Sequence, residues 1–351
     1  MDKKTEIIKI NPQAIDADAI ARAGAILKKG GLVAFPTETV YGLGGDATNP
    51  EASQKIYAAK GRPSDNPLIV HISNVKALEK IVAGTPQAAY TLMERFWPGP
   101  LTMIFRKNER IPYETTGGME TVAVRMPSDP IARALIDAST GYIAAPSANI
   151  SGRPSPTQAE HVAQDLGGKI DMILDGGAVH IGLESTIIDL TEDVPVILRP
   201  GYITLEMLRE VLGEVRVDPA LIAADSDQKP KAPGMKYRHY APNANLKVVE
   251  GETDAVVQAI NRMCRELTVQ KKKVGILATE ETKERYSQGI VISMGARDDE
   301  EAIARHLYGS LRQFDEWGVD EILSESFAAA GIGQAIMNRL LKAAGHQVLE
   351  V

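Results

Sequence analysis

The sequence predicts an α/β protein in two parts. A mixed-strand domain spans residues 1–212 and a smaller parallel-sheet domain spans residues 243–351, with a linker at 213–242 between them. Three observations predict it. At 351 residues the chain exceeds a typical single domain, and its 44% hydrophobic and 24% charged residues are ordinary for a globular protein with substantial cores. Short apolar runs and helix-period segments fill both parts, but strands and helices alternate regularly only after Asn245, the mark of βα units. Between the two, residues 213–242 carry few large apolar side chains, and no acidic residue lies between Gln228 and Pro242.

Residues 5–10 alternate like a strand, and 15–29 read as a helix stopped by Gly30-Gly31. Residues 32–35 form a short buried strand running into Pro36-Thr37-Glu38-Thr39. A helix at 51–60 ends at Gly61, a strand follows at 68–72, and helices at 75–82 and 86–96. Strands at 101–106 and 121–126 precede a helix at 130–139, and residues 143–145 lead into a polar loop. A helix at 157–166 is followed by strands at 172–174, 186–190 and 196–198 and by a helix at 205–212. The basic stretch that follows fits a solvated tether, but Tyr237, His239 and Tyr240 lie within four residues and point to docking on something. In the second part, strands at 246–249, 274–278, 290–294 and 321–323 are each followed by a helix, at 254–267, from 280, at 300–317 and at 334–344.

Several function classes are disfavoured. A net charge of −7 argues against nucleic-acid binding over the whole surface, while leaving room for a local basic groove. Cys264 is the single cysteine, so no intrachain disulfide forms, which fits a reducing cytoplasm. The N-terminus has no apolar signal-peptide core, and no apolar run reaches membrane-spanning length. No G-x-x-x-x-G-K-[ST] loop and no Gly-x-Ser-x-Gly elbow is present. Gly42-Leu43-Gly44-Gly45 and Gly331-Ile332-Gly333 are incomplete dinucleotide fingerprints and read as tight turns. The six histidines are scattered, so no metal-ligand cluster is expected.

Two polar loops stand out. In Lys60-Gly61-Arg62-Pro63-Ser64-Asp65-Asn66-Pro67, a lysine point charge and an arginine fork sit side by side, an arrangement suited to polyphosphate. Taken alone, Lys60 also fits a simple helix C-terminal cation. In Pro146-Ser147-Ala148-Asn149-Ile150-Ser151-Gly152-Arg153-Pro154-Ser155, the hydroxyls and amides fit either local turn chemistry or a phosphate or ribose cradle. Both loops are read as following short buried strands, where α/β folds place ligands. His71 faces away from Leu68, Val70 and Ile72 if its strand alternates, and a satisfied structural histidine is the commoner outcome. Thr39 ends another short strand. Arg125 and Arg199 each end an apolar strand, and with Lys60 and Arg62 they look like cations converging on an acidic substrate.

These residues resemble the threonylcarbamoyl-AMP synthase, or YrdC-like, family. The matching segments are Phe35-Pro36-Thr37-Glu38-Thr39-Val40-Tyr41-Gly42-Leu43, Lys60-Gly61-Arg62-Pro63 with Asn66-Pro67-Leu68, and Phe96-Trp97-Pro98-Gly99-Pro100-Leu101-Thr102. They continue with Val124-Arg125-Met126-Pro127, Ala145-Pro146-Ser147-Ala148-Asn149-Ile150-Ser151-Gly152 and Glu184-Ser185-Thr186-Ile187. Pro233-Gly234-Met235-Lys236-Tyr237-Arg238-His239-Tyr240-Ala241-Pro242 looks like the linker of the family's long form, and residues 331–340 look like its C-terminal signature.

The resemblance implies a YrdC-like curved mixed sheet with a large cavity, plus a Rossmann-like α/β C-terminal domain, the linker covering the cavity. It implies condensation of L-threonine, bicarbonate and ATP to threonylcarbamoyl-AMP and pyrophosphate, for threonylcarbamoyladenosine formation beside the tRNA anticodon. Lys60, Arg62, Ser147 and Asn149 would be the catalytic core. Arg62, Asn66, Thr121, Ser147, Ser155, Arg199 and Tyr237 would bind ATP, and Thr39, His71, Arg125, Ala145 and Ser185 would bind L-threonine. Mg2+ would accompany ATP without a protein cage. Implied partners are tRNA, by possible direct contact, and the proteins that transfer the threonylcarbamoyl group; no membrane is implied. Two rivals remain: an RNA-binding module using Lys229, Lys231, Lys236 and Arg238, and the carbamoyl-adenylate chemistry of hydrogenase maturation, whose acylphosphatase and zinc-finger parts are missing from this sequence.

Overall fold

The computed structural model describes residues 4–221, 239–328 and 330–351. The chain divides into two compact units: one comprises 1–151 with 155–236, the other 237–351 together with the short segment 152–154. The expected linker therefore falls mostly outside the described residues, and Tyr237 with it.

The first unit is built on strands β1 (Glu6–Lys9), β2 (Val33–Phe35), β3 (Gly42–Asp46), β4 (Ile69–His71), β5 (Leu101–Arg106) and β6 (Thr121–Arg125). These continue in β7 (Ile143–Ala144), β8 (Met172–Asp175), β9 (Thr186–Asp189), β10 (Val196–Arg199) and β11 (Arg216–Val217). They form an 11-stranded sheet in the order β1-β8-β2-β3-β7-β4-β6-β5-β9-β10-β11. Pairing is mixed: β4 runs parallel to β6, whereas β7 is antiparallel to both β3 and β4. The expected α/β mixed sheet is what forms.

Side-chain alternation decides where the polar residues go. Leu68, Val70 and Ile72 enter the main core. Ile69, Ile104, Ala123, Ile187 and Leu198 form a smaller apolar cluster. His71 and Arg125 follow Ile69 and Ala123 at two-residue spacing, and Thr102 lies opposite Arg125, so they emerge on the face of this smaller cluster. Ser185 precedes Ile187 by the same spacing.

The second unit carries β12 (Asn245–Glu250), β13 (Val274–Ala278), β14 (Ile290–Ser293), β15 (Glu321–Glu325) and β16 (Val348–Glu350), all parallel, in the order β14-β13-β15-β12-β16. Helices Thr253–Val269, Glu300–Glu316 and Gly331–Ala343 make the crossovers expected of βα units.

Local expectations change where packing overrides them. Gly42–Asp46 is a buried strand, not a turn. A Cβ at Gly44 would sit 2.8 Å from Ile143 and 2.9 Å from Phe35, so glycine is what lets this strand lie between its neighbours. Gly331 makes a turn-like step with φ of 60°, but Gly333 is already helical, and a Cβ there would meet the Ala328 carbonyl oxygen at 2.2 Å. The helix expected at 75–82 stops at Leu78, because Val82 bridges Lys107 and the Ala83 amide donates to the Arg106 carbonyl. The helix expected from 157 starts at Ala159, since the Thr157 amide donates to His161 Nδ1. A short helix at Tyr113–Thr116 and the strands β11 and β16 were not legible in the sequence pattern.

Candidate functional site

Lys60 closes the helix Pro50–Lys60, whose start is fixed by an Asn49 cap and Pro50, and whose end is a left-handed Gly61. That turn buries the lysine, at 2% exposure, against the second polar loop. Its ammonium donates to the carbonyls of Ser147 (2.6 Å) and Asn149 (2.5 Å), with Asn149 Oδ1 at 3.4 Å. Ser147 Oγ donates to Asn149 Oδ1 at 2.5 Å, and the Ser151 amide donates to the Lys60 carbonyl. Lys60 is thus the hub around which residues 147–151 fold, which exceeds the role of a helix-end cation. The loop leaves the sheet from β7, and Ser147 bridges Gly42.

Arg62 is buried and folds onto its own loop, Nε to the Asn66 carbonyl (3.2 Å) and Nη2 to the Pro67 carbonyl (3.1 Å). Asn66 is 1% exposed and its Oδ1 has no hydrogen-bond partner. Extending the β4–β6 register by two residues sets half-buried Thr121 level with Pro67. Arg62, Asn66 and Thr121 therefore gather at one end of these strands. Arg125 lies four residues further along β6, about 13 Å from Thr121.

At that other end, Arg125 and His71 are register partners. Arg125 Nη1 donates to Thr39 Oγ1 at 2.9 Å, and Nη2 lies 2.8 Å from Glu38 Oε1. Thr37 Oγ1 donates to the Val40 carbonyl, so in its 2.9 Å contact with Thr39 it is Thr39 that donates. Burial first, and the Arg125 charge second, push the His71 imidazole down to about 3. The ring is therefore neutral at physiological pH. Its Nδ1 lies 3.0 Å from the Ile69 carbonyl, which can only accept, so Nδ1 carries the proton and Nε2 is an acceptor. Ala145 is tied to the same strand through its amide, 2.8 Å from the Ile69 carbonyl.

Ser185 and Arg199 meet directly. Arg199 donates to the Ser185 carbonyl (3.0 Å) and to its Oγ (3.1 Å), and Thr102 Oγ1 is 2.7 Å from the same hydroxyl. Since Thr102 is the cross-strand partner of Arg125, this group adjoins the Arg125 end. Ser155 is fully buried and donates to Glu184 Oε1 at 2.5 Å. Of the residues expected to act in catalysis or to bind ATP or threonine, all but Tyr237 lie among the described residues; Lys229, Lys231, Lys236 and Arg238 of the rival RNA-binding reading lie outside them. Lys60 bonds the carbonyls of Ser147 and Asn149, Arg62 those of Asn66 and Pro67, and Arg125 and Arg199 the hydroxyls of Thr39 and Ser185.

Three polar residues within this network were missed: Glu38, Thr102 and Glu184. Each sits inside a segment the sequence had singled out, so position in those segments was a usable signal. What hid them was that their partners, Arg125, Ser185 and Ser155, are distant in sequence.

Asp129, which caps the helix Pro130–Ala138, lies nearby. Burial mainly, and the Glu38 charge further, push its carboxyl up to about 6 against the pull of two helix amides. Among the described residues, no group of three or more His, Cys, Asp or Glu side chains could hold a metal ion. No helix among them is long and apolar enough to cross a membrane.

Comparison with known proteins matches both halves of the chain. A family model described as telomere recombination covers residues 25–201, and one described as threonylcarbamoyl-AMP synthase, C-terminal domain, covers residues 203–345. The chain is 52% identical to the threonylcarbamoyl-AMP synthase of Bacillus subtilis over 94% of each protein. It is 49% identical to that of Pyrococcus abyssi, covering 99% of this chain and 100% of the relative. The crystal structure of P. abyssi Sua5 complexed with L-threonine superposes with a TM-score of 0.94 at 49% identity, over 99% of this chain and 100% of the other. Two matched domains, in order, and relatives similar along their whole length place this chain in the threonylcarbamoyl-AMP synthase family, a family of ATP-using enzymes that make an AMP-linked product.

Proposed function

We propose that the protein condenses L-threonine, bicarbonate and ATP into threonylcarbamoyl-AMP and pyrophosphate. The product would serve as the donor for threonylcarbamoyladenosine beside the tRNA anticodon, passed on by separate transfer proteins in the cytoplasm. The observation that carries the reading is the pairing of two chemically different ends on one sheet. One offers a buried lysine ringed by a hydroxyl- and amide-rich loop. The other offers a buried arginine beside a carboxylate, a threonine hydroxyl and a neutral imidazole. The first end suits phosphates and the second suits an α-amino acid.

The chemistry asks for little more. Threonine's amine must be neutral to attack the carbon of bicarbonate or CO2. The resulting carbamate must then meet the α-phosphorus in line with the departing pyrophosphate. Transfers of this kind depend on positioning and on neutralising developing charge. Arg125 would hold the threonine carboxylate, with Thr39, Ala145 and Ser185 around it. His71, as a neutral acceptor, would suit the threonine hydroxyl. Lys60, Arg62, Ser147 and Asn149 would handle the phosphates, and Asn66, Thr121, Ser155 and Arg199 the rest of ATP. Mg2+ would come with the triphosphate. Glu184 is engaged with Ser155, and no step is assigned to a protein-held metal.

The test is pyrophosphate release from ATP and Mg2+ with threonine and bicarbonate each added and withheld. Release that needs both supports the proposal. Release without threonine points to a different acceptor, and no release under any combination rejects the reading.

A further inference from the structure

Glu38 has no role in the assignments above, yet it is the least satisfied charged group in the network. It is 6% exposed, and neither carboxylate oxygen has a hydrogen-bond donor. Its one close partner is Arg125, whose Nη2 approaches Oε1 to 2.8 Å without hydrogen-bonding geometry. Arg125 is itself only partly engaged, since Nη1 is bonded to Thr39 while Nε and Nη2 lack acceptors. A buried ion pair with this many open valences is expensive for a fold to keep unless something else completes it. The peptide on either side is fixed: the carbonyls of Glu38 and Thr39 accept from the amides of Ile181 and Gly182 at 2.9 and 3.0 Å. The carboxylate is thus held in place by a rigid segment while its oxygens stay open.

The missing partner must bring donors for Glu38 and acceptors for Arg125, set side by side. A zwitterionic α-amino acid has that shape, with an ammonium and a carboxylate on one carbon. From this complementarity we infer that Glu38 receives the ammonium group of the bound amino acid and takes the proton it must lose. In that step one N–H bond breaks and one Oε–H bond forms, the lone pair stays on nitrogen, and the amine becomes the nucleophile. The groups facing this carboxylate are Arg125 and Asp129, with His71 beyond Arg125 and His180 beyond Asp129. Of these, Asp129 is pushed up to about 6 and His71 down to about 3.

The inference rests on the reading of Arg125 as the partner of threonine's carboxylate, and it separates the roles of the two charges. It also predicts how the site rejects ligands: an acid that lacks the amine brings Glu38 no positive charge.

The test uses the full-length protein and two ligands, L-threonine and 2,3-dihydroxybutyrate of the same configuration, which replaces the amine with a hydroxyl. Calorimetry on the wild type should show threonine bound at least about tenfold more tightly than the analogue, the scale of one hydrogen-bonded charge. In Glu38→Gln that ratio should fall to near one, with ATP affinity retained as the check on folding. Glu38→Asp should recover part of the discrimination. The threonine KM of Glu38→Gln should improve as pH rises toward the amine's own range, a trend the wild type lacks. Undiminished discrimination in Glu38→Gln, or a flat pH trend, overturns the inference while leaving the synthase reading intact. A wild type that binds neither ligand overturns both.

Discussion

Each unit of the protein buries a glutamate against an arginine, and the two pairs are built differently. Glu325, at the end of β15, is 1% exposed and fully satisfied: Thr282 and Tyr286 hydroxyls donate to Oε1 and the Arg297 guanidinium to Oε2. Glu38 is nearly as buried and has only Arg125, with no hydrogen bond to either oxygen. Burial is the same in both cases, so burial alone does not separate a structural carboxylate from a ligand-facing one. The separating quantity is the number of open valences. A saturated buried acid stabilises its own domain; an unsaturated one is costly in isolation and is completed from outside.

The predictions test that contrast, beginning with the largest effect. Lys60 combines both characters, since it is saturated by loop carbonyls and also faces the proposed phosphate end. Lys60→Ala should lower threonine-dependent pyrophosphate release about a hundredfold or more, roughly 2.7 kcal/mol in the barrier. A rate within threefold of wild type would remove that loop from the chemistry.

Glu325→Ala should destabilise the protein by about 3 kcal/mol in urea unfolding, because three donors lose their acceptor, and should leave threonine affinity unchanged. Lost threonine binding without lost stability would break the comparison.

Asp129→Asn keeps the side-chain oxygen that caps its helix while removing a carboxylate whose pKa is raised to about 6. The sign follows from proton uptake. With its folded pKa above the unfolded value, Asp129 contributes its full stability below about pH 4 and loses it as pH rises through about 6. The variant should match the wild type near pH 4 and exceed it at pH 7 by about 2 kcal/mol, as read from thermal unfolding across that window. An equal gain at both pH values would mean that the burial of the charge is not the cause.

The smallest effect is expected at the exposed pair Arg22–Glu6, whose side chains are 57% and 46% accessible. Arg22→Ala should change stability by less than about 0.5 kcal/mol. It serves as the solvated counterpart of the two buried pairs.

Much of the first unit was legible because its signals are local. The end of the helix at Gly61, the alternation that turns His71 away from Val70, and the regular βα units after Asn245 all depend on residues close in sequence. The residues of the second polar loop were legible as a group, but their purpose was not, since turn chemistry and a ligand cradle use the same side chains. Packing adds what neither reading contained, a buried ammonium at the loop's centre bonded to its carbonyls. The glycines of β3 show the reverse failure. As residue types they spell a turn, and only the closeness of Ile143 and Phe35 makes them a strand.

By itself, the sequence determined the α/β class, the two-part organisation, the secondary elements with strong periodicity and the polar segments that stand out from them. The tertiary structure alone decided how those segments interlock. The β2–β3 and β3–β7 pairings set Gly42 level with Phe35 and with Ser147. Arg125, through His71, is level instead with Ile143, four residues back from Ser147 along β7 and into the loop. Residues 36–41 therefore reach back across the sheet to bring Thr39 and Glu38 onto Arg125. No local pattern encodes that contact, because its partners are 86 residues apart and their meeting depends on the register of several strands at once.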